Sequence, residues 1–222
     1  MPTTLDKPQV ARALQKLHAA AATEDGAAKQ RVLARETELG RRLDQAERYE
    51  IYGDAPLAIQ PQVGRLLYVL AVSRRARAVV EFGASRGVST LYLAAALKDA
   101  GGGSLVTTEL RADKARATRE ALVDAGLDDL VELRVGDALE TLRDLERDID
   151  LLFLDGRNDL YLQVLRLVEP RLVGGALVVG DLNVDDPDLL PYLGHVREPG
   201  GDYLSVEVPL DAGVELSLRG PR

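Results

Sequence analysis

The chain has no cysteine and no tryptophan, a single methionine, two phenylalanines and two histidines. Without cysteine, disulfides and thiolate metal sites are excluded, and a reducing interior costs the protein nothing. With only His18 and His195 available, histidine-driven catalysis has few options; His18 falls in a helical stretch and is given no role. No apolar run approaches the roughly 18 residues that a membrane helix needs. The first ten residues hold two prolines and no apolar core, unlike a signal peptide. Positive charge is also short: 28 Lys and Arg stand against 36 Asp and Glu, for a net charge of −8. Such a chain repels polyphosphates. The expectation is a soluble, cytoplasmic protein that takes neither nucleic acid nor membrane as partner.

What is present is apolar sequence in a regular order. With 222 residues, 46% of them hydrophobic, the chain can bury one sizeable core. Residues 1–50 are rich in helix formers, and two helices are expected, Leu5 to Ala22 and Ala27 to Tyr49. They are either a solvated pair packed on the main domain or a functional element, a cap over a pocket or a dimer surface. A loop over 51–62, with Gly53, Pro56 and Pro61, leads into a short helix over 62–73. Residues 51–222 are expected to form the main domain. Its apolar runs lie at 78–82, 104–108, 130–135, 149–154 and 175–180, with helical patterns at 88–99, 111–125, 138–146 and 158–172. Runs of Val and Leu without alternation suit strands covered on both faces. Alternation of strand and helix predicts a doubly wound, mostly parallel sheet. After a short helix over 188–197, the segments 203–209 and 214–218 alternate apolar and polar around Asp211-Ala212-Gly213. They predict an antiparallel hairpin that brings the sheet to seven strands.

Ligands of such sheets bind beyond the carboxyl ends of the strands. Three acids fall there: Glu81 in Val80-Glu81-Phe82-Gly83, Glu109 after Val106-Thr107-Thr108, and Asp137 after Val135-Gly136. A carboxylate after the second strand can accept hydrogen bonds from both hydroxyls of a ribose. Gly83 and Gly87 are expected to clear space for a cofactor at the turn. Asp137 with Glu140 also fits a helix capping box. The joint pattern points to an adenosine-containing cofactor. A nicotinamide cofactor is the rival, but its Gly-x-Gly-x-x-Gly fingerprint is absent, since Ser85 and Val88 occupy the last two glycine positions.

With these residues the chain resembles the class I S-adenosylmethionine (SAM)-dependent O-methyltransferases, and within them the catechol and caffeoyl-CoA O-methyltransferase-like group. The resemblance runs from about Ile51 to Leu218 and includes Gly87-Val88-Ser89, Leu152-Phe153-Leu154-Asp155-Gly156, Leu160-Tyr161 and Pro191-Tyr192-Leu193. It implies a Rossmann-like methyltransferase fold. It assigns Glu109 to the ribose and Asp137 and Ala138 to the adenine edge. Ser89, the backbone of Ile59, Glu81 and Gly83 fall at the methionine end, Ser85 of the same turn joins the cofactor set, and Asp155, the candidate catalytic residue, lies near both cofactor and metal.

The resemblance also implies a divalent ion, magnesium or calcium, held by oxygen ligands. Asp155, Asp181 and Asn183 are the candidates. Here Gly180-Asp181-Leu182-Asn183 sets the asparagine back by one residue. Either a bulge brings Asn183 inward, or the site is one ligand short, with Asp185, Asp186 and Asp188 as substitutes or as a solvated acidic loop. A second departure is Asn158, where the catechol-like pattern has a lysine; asparagine is no base, and Arg157 stays protonated. His195 is either the replacement base or a surface histidine. The implied activity is O-methyl transfer to a small hydroxylated molecule, phenolic or catechol-like, by a homodimer. The alternatives are a non-catalytic binding module on the same fold, or an NAD-dependent enzyme.

Overall fold

The computed structural model describes residues 2–53, 55–183 and 186–221. Seven strands form one sheet in the order β3-β2-β1-β4-β5-β7-β6. Five run parallel: β1 (Ala78–Phe82), β2 (Ser104–Glu109), β3 (Val131–Val135), β4 (Ile149–Leu154) and β5 (Leu172–Asp181). The hairpin of β6 (Tyr203–Val208) and β7 (Val214–Arg219) joins antiparallel, with β7 against β5. The sequence of single-run strands therefore translated into the expected mostly parallel sheet with a closing hairpin.

Helices cover both faces. On one lie α1 (Pro8–Leu39), α3 (Pro61–Arg74), α4 (Val88–Asp99) and α5 (Ala112–Ala125), packed through Leu14, Leu67, Leu91, Leu97 and Leu122 onto Val79, Leu105 and Phe153. On the other lie α6 (Ala138–Thr141), α7 (Tyr161–Val168) and α8 (Leu190–Val196), packed through Leu142, Val164, Leu165 and Tyr192 onto Val80, Leu152 and Val178. The central strands β1, β2 and β4 bury successive side chains on opposite faces, which is why their sequences are so apolar. Among the described residues, no helix is long and apolar enough to cross a membrane.

Several boundaries differ from expectation. The N-terminal stretch is one 32-residue helix, without the predicted break near residues 23–26. Gly26 is exposed with open space around it. Its cost of about 1 kcal/mol in a helix is offset by burial of Ala21, Ala28 and Val32 on either side. The helix ends instead at Gly40, in the left-handed conformation. A separate short helix, α2 (Gln45–Tyr52), follows behind an Asp44–Glu47 capping box. The helix expected over 138–146 is only one turn long. That over 158–172 is reduced to α7, because Pro170 and a 3-10 turn end it. The strand expected at 175–180 begins at Leu172, with a register shift against β4.

Candidate active site

The parallel register fixes the site. Phe82 pairs with Thr108 and with Leu154, and Leu154 pairs with Gly180. The next residue on each strand is therefore Gly83, Glu109, Asp155 or Asp181. Four neighbouring strands thus place three carboxylates and one glycine in a row at the carboxyl edge.

Glu109 is buried, and its two oxygens are held apart by backbone donors. The Ser85 N–H donates to Oε2 at 2.8 Å and the Arg111 N–H to Oε1 at 2.8 Å. The Tyr49 hydroxyl donates to Oε1 at 3.4 Å. Burial pushes the Glu109 carboxyl up, while the Arg111 N–H, the Lys114 ammonium and the Ser85 N–H oppose the shift. Lys114, buried on the first turn of α5, stands 6.0 Å from the Tyr49 ring centroid. Ser85 has a positive φ of 47°, and its hydroxyl bonds the Pro56 carbonyl. The turn is thereby tied to the loop before α3. Asp25 of α1 fixes that loop from the other side, accepting from the N–H groups of Leu57 (2.7 Å) and Ala58 (3.1 Å). The next residue, Ile59, is buried in the core.

The glycines act differently from expectation. A Cβ on Gly83 would lie 2.5 Å from the Asp155 carbonyl oxygen, and one on Gly87 would lie 3.0 Å from Thr118 Cγ2. Both have positive φ. They clear space for the neighbouring β4 edge and for α5, so what they permit is the close approach of protein to protein.

Glu81 lies beneath the row, with no exposed surface. The hydroxyls of Thr90 and Thr107 donate to its Oε2. Its Oε1 is buried without a partner among the described residues. Burial pushes its carboxyl up, and the neighbouring hydroxyls of Ser89, Thr107 and Thr90 oppose the shift. Ser89, at the start of α4, is buried near Glu81. Asp137 is the N-cap of α6, its Oδ1 accepting from the Leu139 N–H at 2.9 Å, and Ala138 is buried behind it. The reciprocal half of the capping box is not made, since Glu140 pairs with Arg143.

Asp155 and Asp181 form the other part of the row. Burial pushes Asp155 well above the usual carboxylate range, and the neighbouring Asp181 and Glu81 charges add to it. Burial and Asp211 push Asp181 up to about 7, with the Lys29 ammonium of α1 opposing. Asp181 Oδ1 is buried and has no partner among the described residues. Both carboxyls are thereby pushed toward their protonated forms.

The ligand set for a divalent ion is incomplete. Leu182 turns into the apolar core, with its N–H bonded to the Gly213 carbonyl. Asn183 turns to Asn158, with Nδ2 3.5 Å from Oδ1. Asn158 is buried and donates to Asp186 Oδ2 at 2.8 Å. Asp186 is also held by Gln45 (2.7 Å) and Arg42 (3.1 Å), and Asp188 accepts from Gln45 at 3.0 Å. These two acids therefore serve the N-terminal segment, while Asp185 lies outside the described residues. Among the described residues, no three or more His, Cys, Asp or Glu are grouped to hold a metal ion. His195 is remote. It bonds Glu169, which precedes β5 at the amino end of the sheet, at 3.0 Å, and packs on Tyr203. It is neither a free surface histidine nor a base for this site.

Sequence reasoning missed Tyr49, Lys29, the Asn158–Asp186 pair and the hydroxyl set under Glu81. Of these, only Thr90 and Thr107 carried a signal, as polar residues inside otherwise apolar segments.

The strand order with its antiparallel closing hairpin, and acids at the ends of β1, β2, β4 and β5, define a Rossmann-like methyltransferase. A family model described as a methyltransferase domain matches residues 80–181. A protein of Mycobacterium sp. (strain JLS) named as an O-methyltransferase is 36% identical over 179 residues, covering 73% of this chain and 79% of its own. The catechol O-methyltransferase of Mycobacterium tuberculosis is 38% identical over 131 residues, covering 56% of each chain. The crystal structure of the O-methyltransferase TomG from Streptomyces achromogenes, in complex with SAM, superposes with a TM-score of 0.66. It is 28% identical and covers 74% of this chain and 82% of its own. The chain belongs to the O-methyltransferase family.

Proposed function

We propose that the protein binds SAM along the carboxyl ends of β1, β2 and β3 and transfers its methyl group to a hydroxyl of a small phenolic or catechol-like molecule. The observation that carries this reading is Glu109. Its carboxylate is oriented by two backbone N–H groups, with a further acceptor position open on Oε2 and one on Oε1 held only by the long bond from the Tyr49 hydroxyl. Asp137 and Ala138 flank the adenine edge. The backbone of Ile59, the turn at Gly83 and Ser85, and Ser89 lie at the methionine end. SAM carries a sulfonium and an ammonium, and the acids Glu81, Asp155 and Asp181 supply the complementary field.

Methyl transfer is an in-line displacement. The acceptor oxygen forms a bond to the methyl carbon as the carbon–sulfur bond breaks and its electron pair stays on sulfur. Alignment accounts for much of the acceleration. Asn158 cannot take the hydroxyl proton. Asp181 can, because a carboxyl raised to about 7 is matched to neutral operation. The residues present do not fit the divalent ion of the resembled group, because Leu182 takes the inward place and Asn183 is turned to Asn158. No step is routed through a metal.

The N-terminal segment is the roof of the cleft in this reading. Glu24 pairs with Arg86 of the turn, Asp25 holds the 57–58 loop, and Gln45 reaches Asp186. The test is calorimetry with SAM and its product S-adenosylhomocysteine (SAH), followed by methyl-transfer assays on catechol and simple phenols. Binding with turnover of any of them supports the proposal. Binding of SAH without turnover favours a non-catalytic module, and preference for NAD over SAM overturns the cofactor.

A further inference from the structure

The helix that reaches both halves of the cleft is α2, and its attachments are polar. None of its residues is buried. Gly40 and Gly53, both with positive φ, bracket the segment that carries it. Its capping box, with Glu47 accepting from the Asp44 N–H and Asp44 from the Glu47 N–H, makes it a preformed rigid piece. The buried apolar side chain of the segment is Leu43, ahead of the helix, so α2 itself can shift about that point at low free-energy cost.

Gln45 and Tyr49 are one helical turn apart and share a face. Gln45 bonds Asp186 and, through it, Asn158 at the end of β4. Arg48 adds a 2.8 Å ion pair to Glu36 of α1 and stands 3.7 Å from Asp186. Tyr49 reaches Glu109, 60 residues away in sequence. One face of an eight-residue helix therefore touches the carboxylate on the cofactor side and the carboxylate that walls the acceptor side.

A carboxylate oxygen offers two lone pairs. Oε2 of Glu109 takes the Ser85 N–H, whereas Oε1 takes both the Arg111 N–H and the Tyr49 hydroxyl. A ribose diol that bridges the carboxylate needs one place on each oxygen. The place on Oε1 is the one Tyr49 holds, through a long bond of 3.4 Å.

We propose that the Tyr49 hydroxyl occupies the seat of a ribose hydroxyl, so that cofactor binding displaces it and shifts α2, and with it the Gln45–Asp186–Asn158 wall. Tyr49 is then a positioning residue that makes cofactor binding prepare the acceptor side. The inference rests on the reading of Glu109 as the ribose ligand. Coupling of this kind is reciprocal, so weakening the far end of α2 also favours the cofactor.

The experiment is calorimetric titration of SAH into the wild-type protein, Tyr49→Phe and Gln45→Ala, each first checked for an unchanged melting profile. Hydrogen exchange of the α2 amides, with and without SAH, is the second readout. Tyr49→Phe is expected to bind about three- to tenfold tighter, the gain from removing one competing hydrogen bond. Gln45→Ala, which does not touch Glu109, is expected to gain about twofold by loosening the same helix. SAH is expected to speed exchange along α2. Unchanged or weaker binding by Tyr49→Phe, or exchange indifferent to SAH, overturns the proposal while wild-type binding leaves the SAM reading intact. A gain confined to Tyr49→Phe overturns the coupling through α2. Absence of SAH binding in all three proteins overturns the ribose reading and this inference together.

Discussion

The two halves of the carboxyl edge are built on different principles. On the β1–β2 side, the acids are engaged by neutral donors from the fold itself: two backbone N–H groups on Glu109, and the Thr90 and Thr107 hydroxyls on one oxygen of Glu81, whose other oxygen is unpaired among the described residues. On the β4–β5 side, Asp155 is pushed up by burial and by the Asp181 charge, a buried oxygen of Asp181 is also unpaired among them, and the asparagines nearby are spent on each other and on Asp186. The first half is organised before any ligand arrives. The second stores electrostatic cost in a close acid pair, which is what a site for proton transfer or for a cationic ligand requires. The lesson is that a shared strand-end register delivers carboxylates indiscriminately; the donors around each one decide its chemistry.

The sharpest way to break this comparison is Glu109→Ala. Loss of a charged hydrogen-bonding partner should weaken SAH binding by about 1.5–3 kcal/mol, read by calorimetry; unchanged affinity would remove the organised half from the site. Asp181→Asn probes the other half. An acid whose carboxyl is raised on folding stabilises the protein below its unfolded pKa, and that contribution is lost as pH rises through the folded value. From the usual 3.8 to about 7, wild-type stability should therefore decline. The variant should melt higher at pH 8, by about 2 kcal/mol or roughly 4–8 °C, and little differently at pH 4. Its methyl-transfer rate should fall at the same time, the exchange of stability for function expected at an active site. A variant no more stable at pH 8 would show that the acid pair is not strained.

Asn158→Ala should cost about 1–2 kcal/mol, roughly 2–8 °C in melting temperature, because it strips a buried donor from Asp186. An unchanged melting curve would free Asn158 for a role other than anchoring the wall. The smallest effect is expected from metal removal. With Asn183 directed to Asn158, chelation followed by added magnesium should leave turnover of catechol nearly unchanged. A strong magnesium requirement would mean that the β5 end rearranges to complete a ligand set.

Much of this was legible in the chain, for local reasons. Apolar runs without alternation marked strands buried on both faces, and Glu109 and Asp155 could be placed at strand ends because those runs stop there. The hairpin announced itself through alternation around Asp211-Ala212-Gly213. Other features were invisible for equally physical reasons. Two helices were expected before residue 50 with a gap between Ala22 and Ala27, but packed neighbours carry α1 through Gly26. Gly83 looked like room for a ligand, but its space belongs to Asp155 of another strand. Asn183 could be read as turned either way, and Leu182 joining the core settled its direction.

The sequence alone determined the order of strands and helices and the acids at their ends, since periodicity and chain termination of apolar runs are properties of adjacent residues. Only the tertiary structure decided that Tyr49 meets Glu109, that Asp186 anchors the N-terminal segment, and that Asp155 and Asp181 perturb each other. These pairings join parts of the chain that no local pattern links, and burial sets their energies only once the sheet has brought them together.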